Sequence, residues 1–256
     1  MTMLAKCTTE TVAGIASRST LILPVGATEQ HGPHLPLFVD AFMAERVAEA
    51  GASRAEASGS EPVVVAPVLP IGSSHHHLPY AGTLSLRSRT LSAVLADVIA
   101  SGVAGGFRRL LILNGHGGNE DVTHQAVRDA VLEHSIVAAA ASYWTLAWDA
   151  LCAEAERHGI GPLPGHAGSF ETSLMLHLAP DLVGDAAQVD DPLTGDGVHP
   201  LAQAVVERHG WVRLLGGRTD GPAPATAAAG EQFFELVVSA LASFLTRFSS
   251  EQPPVH

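Results

Sequence analysis

The sequence predicts an α/β fold with three layers, in which helices cover both faces of a mostly parallel central sheet. Short apolar runs typical of buried strands alternate with longer segments of helical periodicity, and loops separate them. In addition, 46% of the 256 residues are hydrophobic, which is enough to form a sizeable core. We therefore expect one domain spanning residues 1–256, with its core between about residues 20 and 248.

The predicted strands and helices follow one another along most of the chain. Pro67 lies in the second apolar run and indicates an edge strand or a strand end, because proline cannot donate to a sheet. Asn119 is the predicted N-cap of the helix after the clearest buried strand. In chain order, we expect strand 21–25, helix 41–50, surface loop 53–61, strand 62–69, helix 91–103, strand 109–113, helix 119–134, strand 136–142, helix 145–158, polar loop 185–197, strand 212–215 and a final helix carrying 234–248.

The balance of charges excludes several classes of partner. The chain has 26 Asp and Glu against 14 Lys and Arg, a net charge of -12, so it has no basic patch for nucleic acid or anionic membranes. It also lacks a run of about 18 apolar residues and the apolar stretch of a signal peptide. Its two cysteines, Cys7 and Cys152, are typical of a reducing compartment. We expect a cytoplasmic protein.

Histidine is unusually abundant, since the 14 histidines equal all the Lys and Arg together. In an acidic protein they do not form part of a basic surface, so metal binding or acid–base chemistry is the question to ask of them. Ligands of open parallel sheets bind at the carboxyl ends of the strands. Three of four conspicuous motifs are predicted to lie there, and the remaining one is predicted to open a helix.

The first motif, residues 26–40, reads GATEQHGPHLPLFVD. Glu29 and His31 are two residues apart, so their side chains share a face of an extended segment. Together with Asp40, which follows a loop stiffened by proline, they form a pattern that can ligate a divalent metal. The alternative is that His31 and His34 cap backbone groups and that Asp40 is the N-cap of the next helix.

The second motif, residues 113–120, reads LNGHGGNE and places His116 between glycines. Glycines let the backbone approach closely, which suits a ligand in a crowded site; the alternative is that they only make the turn. The motif matches neither the G-x-G-x-x-G fingerprint nor the P-loop, and no Lys or Arg lies near it. A nucleotide-binding module is therefore the weakest interpretation.

The third motif, residues 165–178, reads GHAGSFETSLMLHL. Glu171 shares a helical face with Leu174 and Leu178, and a carboxylate on an apolar face is costly unless it is paired or bound to a metal. The alternative is a first-turn glutamate that stabilises the helix N-terminus. His177 lies off this face and is expected to be solvated.

The fourth motif, residues 73–83, reads SSHHHLPYAGT. Three adjacent histidines cannot all point the same way, so at most two serve a site. His75 and His76 are interpreted as structural loop residues. The histidines without a motif are expected at the surface: His124, His134, His158, His199, His209 and His256.

Together these segments resemble the creatininase (creatinine amidohydrolase) family. The matching stretches are LPVGATEQHGPHLPLFVD, AGTLS, LILNGHGGN and GHAGSFETSLMLHL, and the late GGRTDGPAPATAAAGEQFFE resembles the closing segment of the family. They occur in order over roughly residues 20–240. The resemblance implies a three-layer α/β/α fold, a two-metal hydrolytic centre and a homo-oligomer, often a hexamer.

The resemblance also implies the metal ligands. Glu29 and His31 would bind different metals, Asp40 would bridge them, and His116 would complete one ligand set. Creatininase carries a carboxylate two residues after this histidine, where this chain has a glycine, so Glu171 is the best remaining candidate for the missing ligand. The ions would be two divalent cations per chain, Zn²⁺ first and Mn²⁺ or Fe²⁺ as alternatives, because mixed oxygen and nitrogen ligands do not select sharply.

The same resemblance suggests roles around the metals. His166 would act as the catalytic acid–base, with Glu171 also counted among the catalytic residues. Creatininase has a glutamate immediately before this histidine and a tryptophan nearby, whereas this chain has Gly165 and a Gly-Pro-Leu-Pro lead-in, which counts against creatinine itself as the substrate. The expected substrate-binding residues are His77, Tyr80, Gly117 and Gly118.

Three hypotheses of function follow. The first is a metal-dependent amidohydrolase that cleaves a non-peptide C–N bond, a cyclic amide or a formamide, of a small molecule by means of a metal-activated water. The second is a peptidase that matures a small ribosomal peptide precursor, as mycofactocin-associated members of the family do. The third, from another class, is a non-catalytic metal-buffering protein that holds several weak ions, mostly at His75 to His77.

Overall fold

The sheet is built from parallel strands, of which the three central ones are completely buried and the two edge strands are mostly half-buried. The computed structural model describes residues 1–185, 189 and 211–252. Within this part of the chain, one five-stranded sheet has the order β1-β3-β2-β4-β5, and every neighbouring pair is parallel. The strands are β1 (Thr2–Met3), β2 (Thr20–Val25), β3 (Val63–Val65), β4 (Arg109–Asn114) and β5 (Val137–Ser142).

Helices cover both faces of this sheet, as predicted. Alternate residues of a strand point to opposite faces, so Ile22 and Leu111 pack in one core and Leu21 and Ile112 in the other. Helices α2, α5, α6 and α8 cover the first face, and α1, α3 and α4 cover the second. The helices are α1 (Thr9–Ile15), α2 (Val39–Ala57), α3 (Ser88–Ala104), α4 (Glu120–Glu133), α5 (Trp148–His158), α6 (Ser169–Leu178), α7 (Trp211–Leu214) and α8 (Ala227–Phe248).

Helix α8 is the central helix of the first layer. Among the described residues it is the one helix that is long and apolar enough to cross a membrane by length and composition. Its buried side chains, including Phe233, Val237 and Leu241, pack instead in the core shared with α2 and α6. This packing accounts for the apolar stripe that the sequence places on the helix.

The structure corrects two local predictions. The late strand at 212–215 is wrong, because the short helix α7 covers most of it. The loop at 53–61 is wrong in its first half, since α2 continues to Ala57 where its small residues pack against α8; a Cβ on Gly51 would lie 2.5 Å from Leu241. Asn119 is the N-cap residue of α4, as predicted, although its side chain makes no capping bond and donates to Gly26 O and Asn114 Oδ1.

Most of the polar loop predicted at 185–197 lies outside the described residues, as do His199, His209 and His256.

The closest approach of α6 and α8 depends on a glycine. A Cβ on Gly230 would lie 1.9 Å from the backbone oxygen of Ser173, so an alanine must push the two helices apart. We expect Gly230→Ala to lower the free energy of unfolding by about 1–3 kcal/mol, the usual cost of overpacking a core. Denaturant titration would measure this change.

Gly14 offers a matched control for that substitution. It lies in α1, and nothing lies within 4 Å of its Cβ position. Gly14→Ala should raise the free energy of unfolding by about 0.5–1 kcal/mol, because alanine is the better helix former. Equal effects of the two substitutions would contradict the packing argument.

Candidate metal centre

The site lies at the carboxyl ends of β2 and β4, where the first turn of α2 sits directly on the sheet. Two glycines permit this contact: a Cβ on Gly26 would lie 2.4 Å from Ala41 Cα, and one on Gly115 would lie 2.4 Å from Asp40 O. Asp40 is the second residue of α2, and its N-cap position is taken by Phe38. The side chain of Asp40 therefore does not cap the helix and turns into the site.

The Glu29 carboxylate is the centre of the cluster. It is fully buried, and neither of its oxygens has a hydrogen-bond partner. Three imidazole nitrogens surround it: His77 Nε2 lies 3.2 Å and His166 Nδ1 3.4 Å from Oε1, and His116 Nε2 lies 3.3 Å from Oε2. Burying a charged carboxylate without hydrogen-bond donors costs free energy unless a cation lies beside it.

A second group of side chains that could bind a metal surrounds His31. Its Nε2 lies 3.0 Å from Asp40 Oδ1 and 3.7 Å from Glu171 Oε1, while its Nδ1 lies 3.1 Å from the backbone oxygen of Glu29. That carbonyl can only accept a hydrogen bond, so Nδ1 carries a proton, and Nε2, which faces the two carboxylates, is the atom that would bind a metal once its own proton has left. This is the usual orientation of a histidine that binds a metal.

Asp40 connects the two groups. Its Oδ2 lies 3.1 Å from His116 Nδ1 and has no hydrogen-bond partner, while its Oδ1 faces His31. The predicted alternative for His34 is also not observed: its Nε2 contacts the hydroxyl of Thr172 at 2.9 Å rather than a backbone group. The alternative for Glu171 does hold, because Ala167 N donates to its Oε2 at the start of α6.

These residues fit divalent metal ions. Within each of four groups of three side chains, the donor atoms all lie within 4.8 Å of one another, and each group mixes imidazole with carboxylate. Such donor sets suit Zn²⁺ or Mn²⁺. The groups are Glu29–His77–His166, Glu29–His76–His116, His31–His166–Glu171 and Glu29–His31–Asp40.

The charges of the cluster are strongly perturbed. Burial raises the pKa of Glu29 to about 7. Burial acts to lower the pKa of His116, but Glu29 and Asp40 outweigh it and raise this pKa to about 9. For Asp40 burial acts upward, yet His31 and His116 hold its pKa well below the ordinary value. Without metal, the cluster thus retains protons in the place of cations.

This retention makes the stability of the metal-free protein depend on pH. The pKa values of Glu29 and His116 lie above their ordinary 4.5 and 6.5, so the folded chain holds these protons more tightly than the unfolded chain. Their contribution to stability is present at lower pH and is lost as the pH rises through about 7 and about 9. We expect metal-free protein to be less stable to urea at pH 9 than at pH 7. Zinc-loaded protein should lose less stability to urea over the same pH interval. A metal-free protein that is more stable at pH 9 than at pH 7 would contradict this prediction.

Among the predicted substrate-binding residues, the structure places His77 within the donor cluster. Tyr80 lies beside the site, with its backbone N–H donating to His77 O and its ring next to Gly217. Gly117 borders open space, whereas a Cβ on Gly118 would lie 2.5 Å from His116 Nε2. A carboxylate-bearing residue therefore has no room at position 118, and the four substrate-binding roles stay predictions.

His76 lies in the triple-histidine loop, as predicted, but it also contacts the donor cluster. Its ring stacks on His116 at a centroid distance of 5.6 Å and on Trp211 at 5.7 Å, and it belongs to a donor group with Glu29. His75 stays outside the cluster and is exposed, with its Nδ1 at 2.7 Å from Ser85 Oγ. The triple-histidine loop thus contributes two rings to the site.

Sequence reasoning missed the anchoring role of the late segment. Ser169 donates to Asp220 Oδ2 from both its backbone N–H and its hydroxyl, at 2.9 and 2.8 Å. Thr219 Oγ1 accepts a hydrogen bond from His166 N at 2.6 Å. These bonds hold the start of α6, which carries Glu171. The resemblance of residues 216–235 to a family segment was the signal that marked this region.

Residues 211–219, which include the beginning of this late segment, cover the donor cluster. A cavity of about 10 Å³ remains there, about the size that a single water needs. Trp211 stacks on His76, and Val212 is buried. The cavity is lined by His77, His166, Trp211, Val212, Leu215, Gly217, Arg218 and Thr219.

Comparison with curated proteins finds relatives along most of the chain. It is 32% identical over 235 residues to the mycofactocin precursor peptide peptidase of Mycolicibacterium smegmatis, covering 91% of this chain and 86% of that protein. It is 35% identical over 193 residues to the creatinine amidohydrolase of Pseudomonas putida, covering 69% of this chain and 71% of that protein.

Solved structures match the fold throughout. A crystal structure of creatinine amidohydrolase (creatininase) aligns with a TM-score of 0.81 and 29% identity, covering 99% of this chain and 98% of that one. The structure "Creatininase Mn" aligns with a TM-score of 0.81 and 27% identity over 97% and 99% of the two chains. A mutant creatininase of "Zn-Zn type" aligns at 0.79 and 27% over 97% and 98%.

The family model for creatininase, described as "Creatinine amidohydrolase", matches residues 5–245. The predicted family resemblance is thus confirmed over nearly the whole chain, and the buried donor cluster lies where its motifs meet. The chain belongs to the creatininase family of hydrolases.

Proposed function

We propose that this chain is a metal-dependent peptidase that cleaves a C–N bond in a short peptide precursor. The observation that carries hydrolysis is the buried Glu29 carboxylate, which has no hydrogen-bond donor and faces three imidazoles. Similarity to a precursor peptide peptidase over 91% of the chain supports a peptide substrate. The comparisons thus favour the second hypothesis from the sequence over the first.

The residues divide into two tasks. Glu29, His31, Asp40, His116 and Glu171 would hold two divalent ions, with Zn²⁺ and Mn²⁺ supported by the names of two similar structures. Bound ions of this kind acidify water and polarise the carbonyl of the scissile bond.

His166 is the proposed proton carrier between the attacking water and the leaving nitrogen. Its Nδ1 faces Glu29 at 3.4 Å and its ring lines the cavity, so this nitrogen can take a proton from one group bound there and return it to another. Backbone contacts to Thr219 fix the position of the residue.

A second candidate is hydrolysis of a small cyclic amide. The identity of 35% to a creatinine amidohydrolase supports such a substrate. The cavity of about 10 Å³ is too small for either substrate, so a cyclic amide and a peptide would both require residues 211–219 to move away from the donor cluster. Metal buffering without catalysis is the third candidate, and it predicts several weakly bound ions rather than two tight ones.

A substrate panel separates these candidates. Zinc- and manganese-loaded protein would be incubated with short peptides, including any precursor peptide encoded beside the gene, and with lactams, cyclic ureas and formamides, and products would be identified by mass spectrometry. We expect cleavage of one bond in a peptide, abolished by chelation and restored by metal. Turnover of the cyclic amides alone would overturn the peptidase proposal, and two tight ions without any turnover would count against hydrolysis.

A further inference from the structure

The buried side chain of Gln30 has an orientation that backbone groups determine. Its Oε1 accepts a hydrogen bond from Gly32 N at 2.9 Å, and its Nε2 donates to Gly217 O at 2.7 Å. A backbone N–H can only donate and a carbonyl can only accept, so the amide cannot be flipped. One N–H of Gln30 remains, and His77 Nδ1 and His166 Nε2 both lie 2.9 Å from this nitrogen.

A backbone carbonyl decides which histidine receives the remaining N–H. His166 Nε2 also lies 2.9 Å from the backbone oxygen of Gln30, which can only accept. His166 therefore carries its proton on Nε2 and cannot accept a hydrogen bond there. The second amide proton of Gln30 goes to His77 Nδ1, the one acceptor that remains of the two.

Opposite tautomers follow for the two rings. His77 accepts a hydrogen bond at Nδ1, so it is neutral and carries its proton on Nε2. This Nε2 lies 3.2 Å from Glu29 Oε1, which accepts no hydrogen bond, so the N–H stays available at the cavity that His77 lines. His166 carries its proton on Nε2 and keeps a lone pair on Nδ1, 3.4 Å from the same oxygen.

We propose that Gln30 is a positioning residue that sets these tautomers, so that neutral His77 donates its Nε2–H to the carbonyl oxygen or leaving nitrogen of the substrate, while His166 Nδ1 stays free for a proton or a metal. The role toward a substrate rests on the proposed hydrolysis, whereas the tautomers do not. A protonated Nε2 cannot ligate a metal, so His77 leaves the donor group that it forms with Glu29 and His166. Neutral imidazole is an established donor to developing charge on oxygen.

Nitrogen NMR tests the tautomers directly. In zinc-loaded wild-type protein labelled with ¹⁵N-histidine, we expect a protonated, pyrrole-type signal at His77 Nε2 and an unprotonated one at His77 Nδ1. Spectra of His77→Gln and His166→Gln variants would assign the rings. A pyrrole-type Nδ1 in His77 would overturn the proposal without any variant at position 30 and without a substrate.

The substitution Gln30→Glu tests the consequence, since a carboxylate accepts where the amide donates. We expect the proton of His77 to move to Nδ1, and kcat to fall by about 100-fold, the scale of losing one preorganised donor. KM should change less than threefold and two zinc ions should remain bound. Gln125→Glu is the matched control, because Gln125 lies on the surface of α4 and contacts Asp129.

The possible results distinguish the two proposals. Unchanged kcat and an unchanged His77 tautomer in Gln30→Glu would overturn the role of Gln30. The expected tautomers in a protein that cleaves neither peptides nor cyclic amides would support the positioning by Gln30 and contradict the proposed function instead.

Discussion

Asp40→Ala should remove at least one of the two tightly bound metal ions and abolish hydrolysis. The two oxygens of Asp40 face different histidines, with Oδ1 at 3.0 Å from His31 Nε2 and Oδ2 at 3.1 Å from His116 Nδ1. No other carboxylate of the described cluster contacts both rings this closely. We expect kcat/KM to fall by roughly 10⁴-fold or more, as when one member of a catalytic unit is removed. Metal content after dialysis should drop from two ions per chain to one or none.

Asp149→Ala provides the control for this substitution, because Asp149 is an exposed acid in the first turn of α5. It should retain both ions and full activity. If Asp40→Ala kept two tight ions and its rate stayed within threefold of wild type, Asp40 would not be a bridging ligand. Several weak ions that Asp40→Ala leaves unchanged would favour the metal-buffering hypothesis.

Glu171→Gln should have the second largest effect. The amide keeps an oxygen that can accept from Ala167 N, so the start of α6 stays in place, but the negative charge near His31 is lost. If Glu171 is a ligand, we expect one of the two ions to be lost and kcat to fall by about 100-fold or more, since a ligand should matter at least as much as the outer partners of ligands.

Metal analysis and cobalt spectroscopy of Glu171→Gln would follow the second ion directly. Glu133→Gln is the matched control, since Glu133 is an exposed residue at the end of α4. Two ions bound with unchanged affinity in Glu171→Gln, together with a normal rate, would mean that Glu171 only stabilises the beginning of its helix.

The fold could be predicted well because its signals are local. Residues 109–113 form an uninterrupted apolar run, as expected of a parallel strand buried on both faces, and the structure has β4 there. Helix ends were harder, since α2 extends to Ala57 only because Gly51 and Ala55 pack in the core. Residues 212–215 look like a strand in isolation but lie in or next to a helical turn beside the histidine loop.

Part of the candidate site could also be predicted, because its motifs are local in the sequence. Glu29, His31, Asp40, His116 and Glu171 stand in compact motifs, and the structure brings them together. Their roles as ligands stay predictions. The position of His76 beside the site could not be predicted, because a run of three histidines contains no information about which rings turn inward.

Sequence alone determined the class of this protein: a parallel α/β sheet, membership of the creatininase family, and a set of acidic and histidine side chains suited to divalent metals. Short-range periodicity and motifs indicate those features, and each motif is one continuous stretch of sequence. Only the tertiary structure indicates which nitrogens of His77 and His166 carry protons and what holds the late segment over the cluster. Both depend on hydrogen bonds between residues far apart in the chain, such as that from Gln30 to Gly217, and no local pattern encodes such a pairing.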